Sequence, residues 1–250
     1  AYFPSFDHNL LKLAVCPGQK GCKMIQRETE PERPSPAYEQ LMSDYLRLLL
    51  QGNRHESSQL IMDAVANEMP IKDIYLHVFQ PAQHEIGRLW QTNEVTVAQE
   101  HFCTATTQLI MSQLYPYIFN QEKNGLRLLA TCVGGELHEI GLRMVTDFFE
   151  MDGWDTYYLG ANMPTEGILA TIEKQKPNIV AISTSMPFNV GTVTQLIADI
   201  RGAAYADDVR ILVGGRPFNV SPNLWQRVGA DAYALDAEQA LQTAAALVAR

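Results

Sequence analysis

The chain has 250 residues, which suffice for one large domain or two small ones, and its 46% hydrophobic content is enough for a buried core. A formal net charge of −9 argues against nucleic-acid binding by the chain as a whole, because phosphate contacts require clustered Lys and Arg. No apolar run approaches the roughly 18 residues that a membrane span needs, and no secretory leader is recognisable. We therefore expect a cytoplasmic protein that binds neither nucleic acid nor a membrane.

Residues 1–36 are predicted to form an N-terminal arm and linker. A turn-rich loop separates Cys16 from Cys22, and a proline-rich stretch follows it. Since no further Cys pair or Cys-His pair follows, we favour an interpretation without a metal at these two cysteines. The arm contains no helix-turn-helix pattern, and it either packs on the body or engages a partner. Cys103 lies in a helical pattern and Cys132 in a strand, so both are expected to be buried thiols, as in a reducing cytoplasm.

Residues 37–124 have the apolar spacing of helices and are predicted to form a four-helix bundle. The first helix ends at Gly52 and the second before Pro70. The third covers residues 71–90, with Pro81 as a kink. The fourth begins after Glu94, and the short connections between all four favour a bundle over separate helices.

Residues 125–250 alternate between strand and helix, which predicts a parallel, right-handed, doubly wound sheet of the Rossmann-like (flavodoxin-like) kind. The predicted strands cover residues 126–133, 155–159, 179–183, 209–213 and 232–234. The predicted helices cover residues 139–151, 165–174, 190–201, 223–228 and 237–248. The fold class is therefore α/β, with a helical bundle ahead of the sheet domain.

Three polar or glycine-rich loops follow predicted strands of this sheet. Residues 134–141 follow the first strand and contain His138; Ser183 and Ser185 close the third strand, and Gly214 and Gly215 close the fourth. In open α/β sheets the carboxyl ends of the strands are where ligands bind. On its own, His138 would be interpreted as a loop histidine that caps a helix, but the other two loops favour a binding site.

The spacing of these loops resembles the cobalamin-binding motif Asp-x-His-x-x-Gly, Ser-x-Leu and Gly-Gly, with Glu136 in place of Asp and Ser185 in place of Leu. The resemblance implies that His138 is the cobalt ligand and that Glu136 holds its other ring nitrogen. It also implies that the serine hydroxyls meet the nucleotide tail and that the paired glycines let the backbone pass close to it. The residues assigned to the cofactor in these loops are Glu136, His138, Glu139, Ile140, Gly141, Ser183, Ser185, Gly214 and Gly215.

The predicted bundle carries a second pattern, Trp90 followed after nine residues by Glu100 and His101. Taken alone, a tryptophan near a helix end is usually core and a Glu-His pair is usually a solvated face. The spacing resembles the upper-face motif of CarH-type, adenosylcobalamin-dependent photoreceptors, and the likeness covers about residues 37 to 249. It implies that Trp90 packs over the adenosyl group, that Glu100 accepts a hydrogen bond from it, and that Val97 and His101 line the same pocket.

Two departures from the CarH-type pattern concern DNA binding and cobalt capture. Those proteins begin with a DNA-binding helix-turn-helix domain, which has no counterpart here. Gln91 stands where their cobalt-capturing histidine stands, and His84, the nearest substitute, is interpreted as a surface residue.

The sequence therefore predicts a non-enzymatic, cobalamin-dependent light sensor that holds adenosylcobalamin and signals through a regulatory protein partner or a light-dependent homo-oligomer. The acidic balance fits a basic partner. A second chromophore such as a bilin is a variant that no specific motif supports. The alternative is a corrinoid methyl carrier of a methyltransferase system, whose bundle would cap methylcobalamin and open to each partner enzyme.

Overall fold

Helices make up the first part of the fold in a computed structural model that describes residues 35–119, 122–221 and 223–249. Most of the predicted arm, with Cys16 and Cys22, lies outside the described residues. Helix α1 spans Pro36–Leu50 and α2 spans Arg54–Ala66. The third predicted helix runs without a break through α3, a π-helical turn and α4, whose bounds are Ile71–Ile74, Tyr75–Phe79 and Gln80–Gln91.

The π-helical turn ends two residues before Pro81, where the sequence predicts a kink. Proline has no amide hydrogen for the carbonyl four residues earlier, so the regular bonding is interrupted there and a wider turn can form. Helix α5, Val97–Ile118, completes the bundle. It begins with a capping box in which Thr96 and Gln99 exchange hydrogen bonds.

The helices of the bundle share one core. Tyr45, Ile61, Val78 and Ile110 are all fully buried in it. The Tyr45 hydroxyl lies 2.8 Å from Thr107 Oγ1, so its polar group is satisfied inside the core. The predicted helical N-terminal region is thus confirmed. No helix in the described part of the chain has both the length and the hydropathy that crossing a bilayer demands.

A five-stranded, wholly parallel sheet follows, with strand order β2-β1-β3-β4-β5. This is the flavodoxin-like order of doubly wound folds, and it confirms the predicted class. The strands are β1 Arg127–Val133, β2 Asp155–Met163, β3 Ile179–Ser183, β4 Arg210–Gly214 and β5 Ala232–Ala234. The helices are α6 Ile140–Met151, α7 Thr165–Gln175, α8 Val190–Arg201, α9 Arg216–Val220, α10 Leu224–Arg227 and α11 Ala237–Val248.

Two elements differ from the sequence prediction. Strand β2 continues to Met163 instead of ending at residue 159, because its register shifts around Gly160 and the pairing resumes beyond that irregularity. The second difference is helix α9, which the structure contains but the sequence analysis does not predict. It starts with Pro217 in its first turn, where a missing amide hydrogen costs nothing.

Helix α6 joins the two halves of the fold. Met144 and Phe148 on α6 are buried in the core of the bundle, while Leu142 and Phe149 are buried against the sheet. Because α6 starts directly after the loop that contains His138, this packing places the bundle next to the carboxyl end of β1.

Candidate functional site

The ends of β1, β3 and β4 are neighbours in the sheet, so the three predicted loops meet at one edge. Cys132 pairs with Ser183, and Ser183 pairs with Gly214. The Thr184 backbone N–H also donates to the Gly214 carbonyl at 3.2 Å. The structure thus brings the histidine, serine and glycine loops together, as their spacing predicts.

Glu136 is the buried centre of this edge, and one of its oxygens holds His138. The side chain of Glu136 is fully buried. Its Oε1 lies 2.6 Å from His138 Nδ1 and accepts a hydrogen bond from the His138 backbone N–H at 3.1 Å. Glu136 in place of the usual Asp therefore still reaches the imidazole.

The other oxygen of Glu136 binds the serine loop. Oε2 accepts hydrogen bonds from Thr184 Oγ1 at 2.7 Å, from the backbone N–H groups of Ser185 and Met186 at 2.8 and 3.1 Å, and from Asn189 Nδ2 at 3.0 Å. The sequence analysis missed Thr184 and Asn189. Thr184 stands between two predicted site serines and could have been found from that position, whereas nothing local singles out Asn189.

These hydrogen bonds decide the charge of Glu136. Burial alone raises the pKa of a carboxyl, but the hydrogen bonds from His138, Thr184 and Asn189 outweigh it and lower the pKa of Glu136 to about 2. The carboxylate is therefore ionised at neutral pH and can only accept. It follows that the proton of a neutral His138 imidazole lies on Nδ1 and that Nε2 carries a free lone pair.

His138 presents this second nitrogen outward. Its side chain is 51% exposed, and no group among the described residues hydrogen-bonds Nε2. A neutral imidazole is a good metal ligand, so an accessible Nε2 is a suitable donor for the cobalt of a corrinoid. The residues at this edge fit such a group, and His138 is the residue that would bind its metal.

The packing of the protein itself requires a glycine at position 215, whether or not a ligand is bound. Its φ is +103°, and an added Cβ would lie 2.0 Å from the Thr184 carbonyl oxygen. Gly215 therefore lies close to the serine loop of the protein itself, while the predicted approach of the glycine pair to the nucleotide tail stays a prediction. Ser185 likewise uses its backbone N–H to bind Glu136, and its half-buried side chain lies at the same edge as Ser183.

Glu139 was assigned to the cofactor, but the protein itself occupies its carboxylate. Oε2 accepts hydrogen bonds from the Ala161 backbone N–H at 2.8 Å and from Tyr158 OH at 3.1 Å, and Oε1 accepts one from Gln108 Nε2 at 3.2 Å. The contacts make Glu139 a link between the sheet and the bundle. Ile140 packs against the bundle core, and Gly141 is exposed with open space around its Cα.

The bundle residues of the predicted upper face are largely exposed. Trp90, in the last turn of α4, is 41% exposed and Val97, at the start of α5, is 52% exposed. Glu100 Oε1 accepts a hydrogen bond from Thr104 Oγ1 at 2.9 Å, and its Oε2 lies 2.5 Å from His101 Nδ1. Trp90 is therefore not a core tryptophan, which was the plain structural interpretation of this residue.

Two contacts connect this part of the bundle to the strand ends. Gln108, two turns beyond Glu100 on α5, donates to Glu139 beside His138. Gln91, next to Trp90, accepts a hydrogen bond from Arg216 at 3.5 Å, directly after the glycine loop. The bundle residues thus lie on the side of the molecule where the sheet presents His138.

His84 lies near the same junction. It is a surface residue, as expected. Partial desolvation together with the positive charge of Arg216 lowers its pKa, which favours the neutral imidazole.

A helical bundle beside a doubly wound sheet with an outward imidazole at its edge is the architecture that the comparisons with known families describe as B12-binding. Residues 41–115 and residues 126–245 each match a family model described as B12 binding domain. The chain therefore contains a pair of B12-binding domains, one helical and one Rossmann-like.

The relatives of the chain are corrinoid proteins. It is 22% identical over 210 residues to a corrinoid protein of Desulfitobacterium hafniense, covering 82% of this chain and 95% of the relative. It is 27% identical over 193 residues to monomethylamine corrinoid protein 1 of Methanosarcina acetivorans, covering 75% and 88%. The structure of the Methanosarcina barkeri monomethylamine corrinoid protein shares the fold, with a TM-score of 0.73, 23% identity, and coverage of 85% of this chain and 99% of that one.

Cobalamin binding, predicted from three short loops, is supported by these matches. The relatives bear the names of corrinoid proteins, two of them for monomethylamine, and none of these three is named as a photoreceptor. The names of the two relatives found by sequence agree better with the methyl-carrier alternative than with the light sensor that the Trp90 pattern predicts.

Proposed function

We propose that this protein is a corrinoid methyl carrier of a methyltransferase system, with His138 as the protein ligand on the lower face of cobalt. The observation that carries the corrinoid part of the proposal is the bond between the buried Glu136 carboxylate and His138 Nδ1 at 2.6 Å, which leaves Nε2 free and outward. The names of the methylamine relatives support the choice of a methyl group.

The protein's own part in such a carrier is to bind, orient and shield. When bound, the corrinoid supplies a cobalt centre that can accept a methyl group and pass it on. Glu136 keeps a proton at His138 Nδ1, which fixes the orientation of the ring and leaves Nε2 to bind a metal. The serine loop holds Glu136 in place through four hydrogen bonds. The bundle lies beside the site, where the bond from Gln108 to Glu139 joins it to the loop of His138, and it would cover a bound corrinoid from that side.

Methyl transfer also requires protein partners, and we propose methyltransferases as these partners. A carrier must present its upper face to a donor enzyme and to an acceptor enzyme in turn. Trp90 and Val97 are large apolar side chains left exposed on the bundle near this face, where a partner could bury them.

A light sensor is the second candidate, and one specific observation favours it. Trp90 is exposed at the end of α4, and Glu100 and His101 follow on the first turns of α5, as the resemblance to CarH-type photoreceptors implies. In that case the ligand is adenosylcobalamin, and its loss on illumination would change how the bundle sits or which regulatory partner binds.

The experiment compares purified protein loaded in the dark with methylcobalamin or with adenosylcobalamin. The wild-type chain and the variant His55→Ala, which removes an exposed imidazole on α2, should both show the base-off, His-on absorption spectrum. His138→Ala should lose it. An unchanged spectrum in His138→Ala would end the assignment of the lower ligand.

Illumination separates the two candidates. A methyl carrier should elute at the same volume in gel filtration before and after green light and should accept a methyl group from a methyltransferase. A light sensor should change its elution or its partner irreversibly when the adenosyl group is released. A light-dependent change in assembly would overturn the carrier in favour of the sensor.

A further inference from the structure

The loop between β1 and α6 contains two glutamates whose carboxylates contact different parts of the molecule. Glu136 points into the sheet edge and holds His138, while Glu139, three residues later, contacts Gln108 on α5. The predicted metal ligand lies between them in the chain. A single short loop therefore contains the lower-face imidazole and contacts the bundle helix that carries Glu100.

The sheet fixes the position of Glu139 independently of the bundle. Its Oε2 accepts hydrogen bonds from the Ala161 backbone N–H at 2.8 Å and from Tyr158 OH at 3.1 Å. Gly160, with φ +75°, leaves the space for this oxygen, since an added Cβ there would lie 2.7 Å from Oε2. The irregularity in β2 thus receives the carboxylate and leaves Oε1 to face the bundle.

Gln108 belongs to the face of α5 that leads to the predicted upper-face residues. Glu100, Thr104 and Gln108 are spaced four residues apart, so they lie along one side of the helix over about 12 Å. Thr104 Oγ1 donates to Glu100 Oε1 at 2.9 Å, and Gln108 Nε2 donates to Glu139 Oε1 at 3.2 Å. This row connects Glu100 to the loop of His138.

Other contacts between the bundle and α6 lie farther from the site. Arg143 donates to Ser112 Oγ at 2.8 Å, and Tyr75 OH donates to Asp147 at 2.8 Å, one and two turns beyond Glu139. Phe148, next to Asp147, is buried in the bundle core. These contacts anchor the bundle toward the far end of α6. At the end that lies next to His138, the bundle contacts this region through the packing of Ile140 and through the bond from Gln108 to Glu139.

We propose that Glu139 is a positioning residue that latches the bundle over the corrinoid site through Gln108. With the bond made, α5 is held against the loop of the lower ligand and the upper face is covered. With the bond broken, the bundle can swing about its anchor on α6 and expose that face. The inference rests on cobalamin binding as proposed above.

The test uses charge to break and remake the bond. Gln108→Glu places a second carboxylate against Glu139, and like charges at this distance repel. The double variant Gln108→Glu, Glu139→Gln exchanges the two side chains. The amide at position 139 can then accept from Ala161 and Tyr158 with its oxygen and donate with its nitrogen to the carboxylate at position 108. The pair is restored with its roles reversed.

The measured quantity is the rate at which cyanide replaces the upper ligand of protein-bound hydroxocobalamin, followed by absorbance. Gln108→Glu should exchange about tenfold faster than wild type, which corresponds to about 1.4 kcal/mol. The double variant should return to within about twofold of wild type. In the protein without corrinoid, hydrogen exchange of the α5 amides should be faster in Gln108→Glu alone.

The matched control is Gln113→Glu, the same substitution on the exposed side of α5, where Gln113 contacts Ser58. It should exchange at the wild-type rate. Equal rates in Gln108→Glu and wild type would overturn the latch, and so would a double variant that stays fast, since a general loss of packing would not be rescued by the swap. Failure of the wild-type chain to bind hydroxocobalamin would instead refute the proposed function.

Discussion

Replacing Glu136 by glutamine keeps the shape of the side chain and exchanges one carboxylate oxygen for an amino group. Six hydrogen bonds from His138 and the serine loop converge on this carboxylate, all of them donated to it. An amide has one oxygen that accepts and one amino group that only donates. The glutamine amino group must therefore meet hydrogen-bond donors on one side of the site. The less costly orientation turns the amino group toward His138, because four donors meet the other oxygen.

The size of the effect follows from the charge of Glu136. Its pKa lies at about 2 against an ordinary value of 4.5, so the folded protein favours the ionised form by about 3 kcal/mol. Glu136→Gln should lose a comparable part of the free energy of unfolding at pH 7. Because the folded-state pKa is depressed, this stabilisation is present above pH 4.5 and is lost as the pH falls toward 2. The two proteins should therefore converge in stability in acid.

The same substitution should also change the imidazole. With an amino group at Nδ1, the neutral ring must accept there and carry its proton on Nε2, which can then no longer bind a metal. Changes to the group that orients a metal-binding histidine typically weaken the metal site by about 10- to 100-fold. We expect a loss of this order in the affinity for hydroxocobalamin and a weaker His-on spectrum.

The assay combines chemical unfolding between acid and neutral pH with a corrinoid titration. The control is Thr184→Val, which removes one donor to Oε2 and leaves both contacts between Glu136 and His138 intact. It should cost about 1 kcal/mol of stability and keep the His-on spectrum. Wild-type affinity and an unchanged spectrum in Glu136→Gln would refute the view that the buried carboxylate selects the tautomer of His138.

Three further predictions concern other parts of the molecule. Burial raises the pKa of Asp147 to about 6 despite the hydrogen bond from Tyr75, so its contribution to stability should be lost as the pH rises from about 4 to about 6. Asp147→Asn should lack this loss, about 3 kcal/mol in urea unfolding, and parallel pH curves for the two proteins would contradict it. Gly215→Ala should lower the free energy of unfolding by about 1 to 3 kcal/mol, because its φ of +103° suits only glycine and its Cβ would meet the Thr184 carbonyl. A stable variant with wild-type melting would show that the two loops can separate. Trp90→Ala should leave corrinoid binding largely intact but change the photolysis yield of bound adenosylcobalamin. Equal yields in the variant and the wild type would contradict the assignment of Trp90 to the upper face of the corrinoid.

Local patterns were sufficient for the class of fold. Apolar strand segments that alternate with segments of helical spacing predict a parallel sheet, because a strand followed by a helix returns in only one hand. The predicted end of β2 was wrong for a reason that no local pattern contains. Gly160 and Asn162 look like a turn in the sequence, but both adopt positive φ within an irregular strand that continues to pair with β1.

The candidate site likewise combines contacts that could be predicted from spacing with contacts that depend on the tertiary structure. His138 and Glu136 are two residues apart, and their interaction could be predicted from spacing. Asn189 reaches the same carboxylate from 53 positions along the chain, and its role depends on β1 and β3 being neighbours. Glu139 was assigned to the cofactor from its place in the loop, whereas Tyr158, Ala161 and Gln108 hold it from two other elements.

The amino-acid sequence by itself determined the order of the elements and the imidazole offered at the end of the first strand, because both depend on residues close together in the chain. Only the tertiary structure decided what each carboxylate of that loop binds. Two glutamates three residues apart look equivalent in a sequence, but the first is enclosed by donors from the neighbouring loop and the second is divided between β2 and the bundle. That difference arises from contacts between distant segments, which form only when the sheet and the bundle have packed.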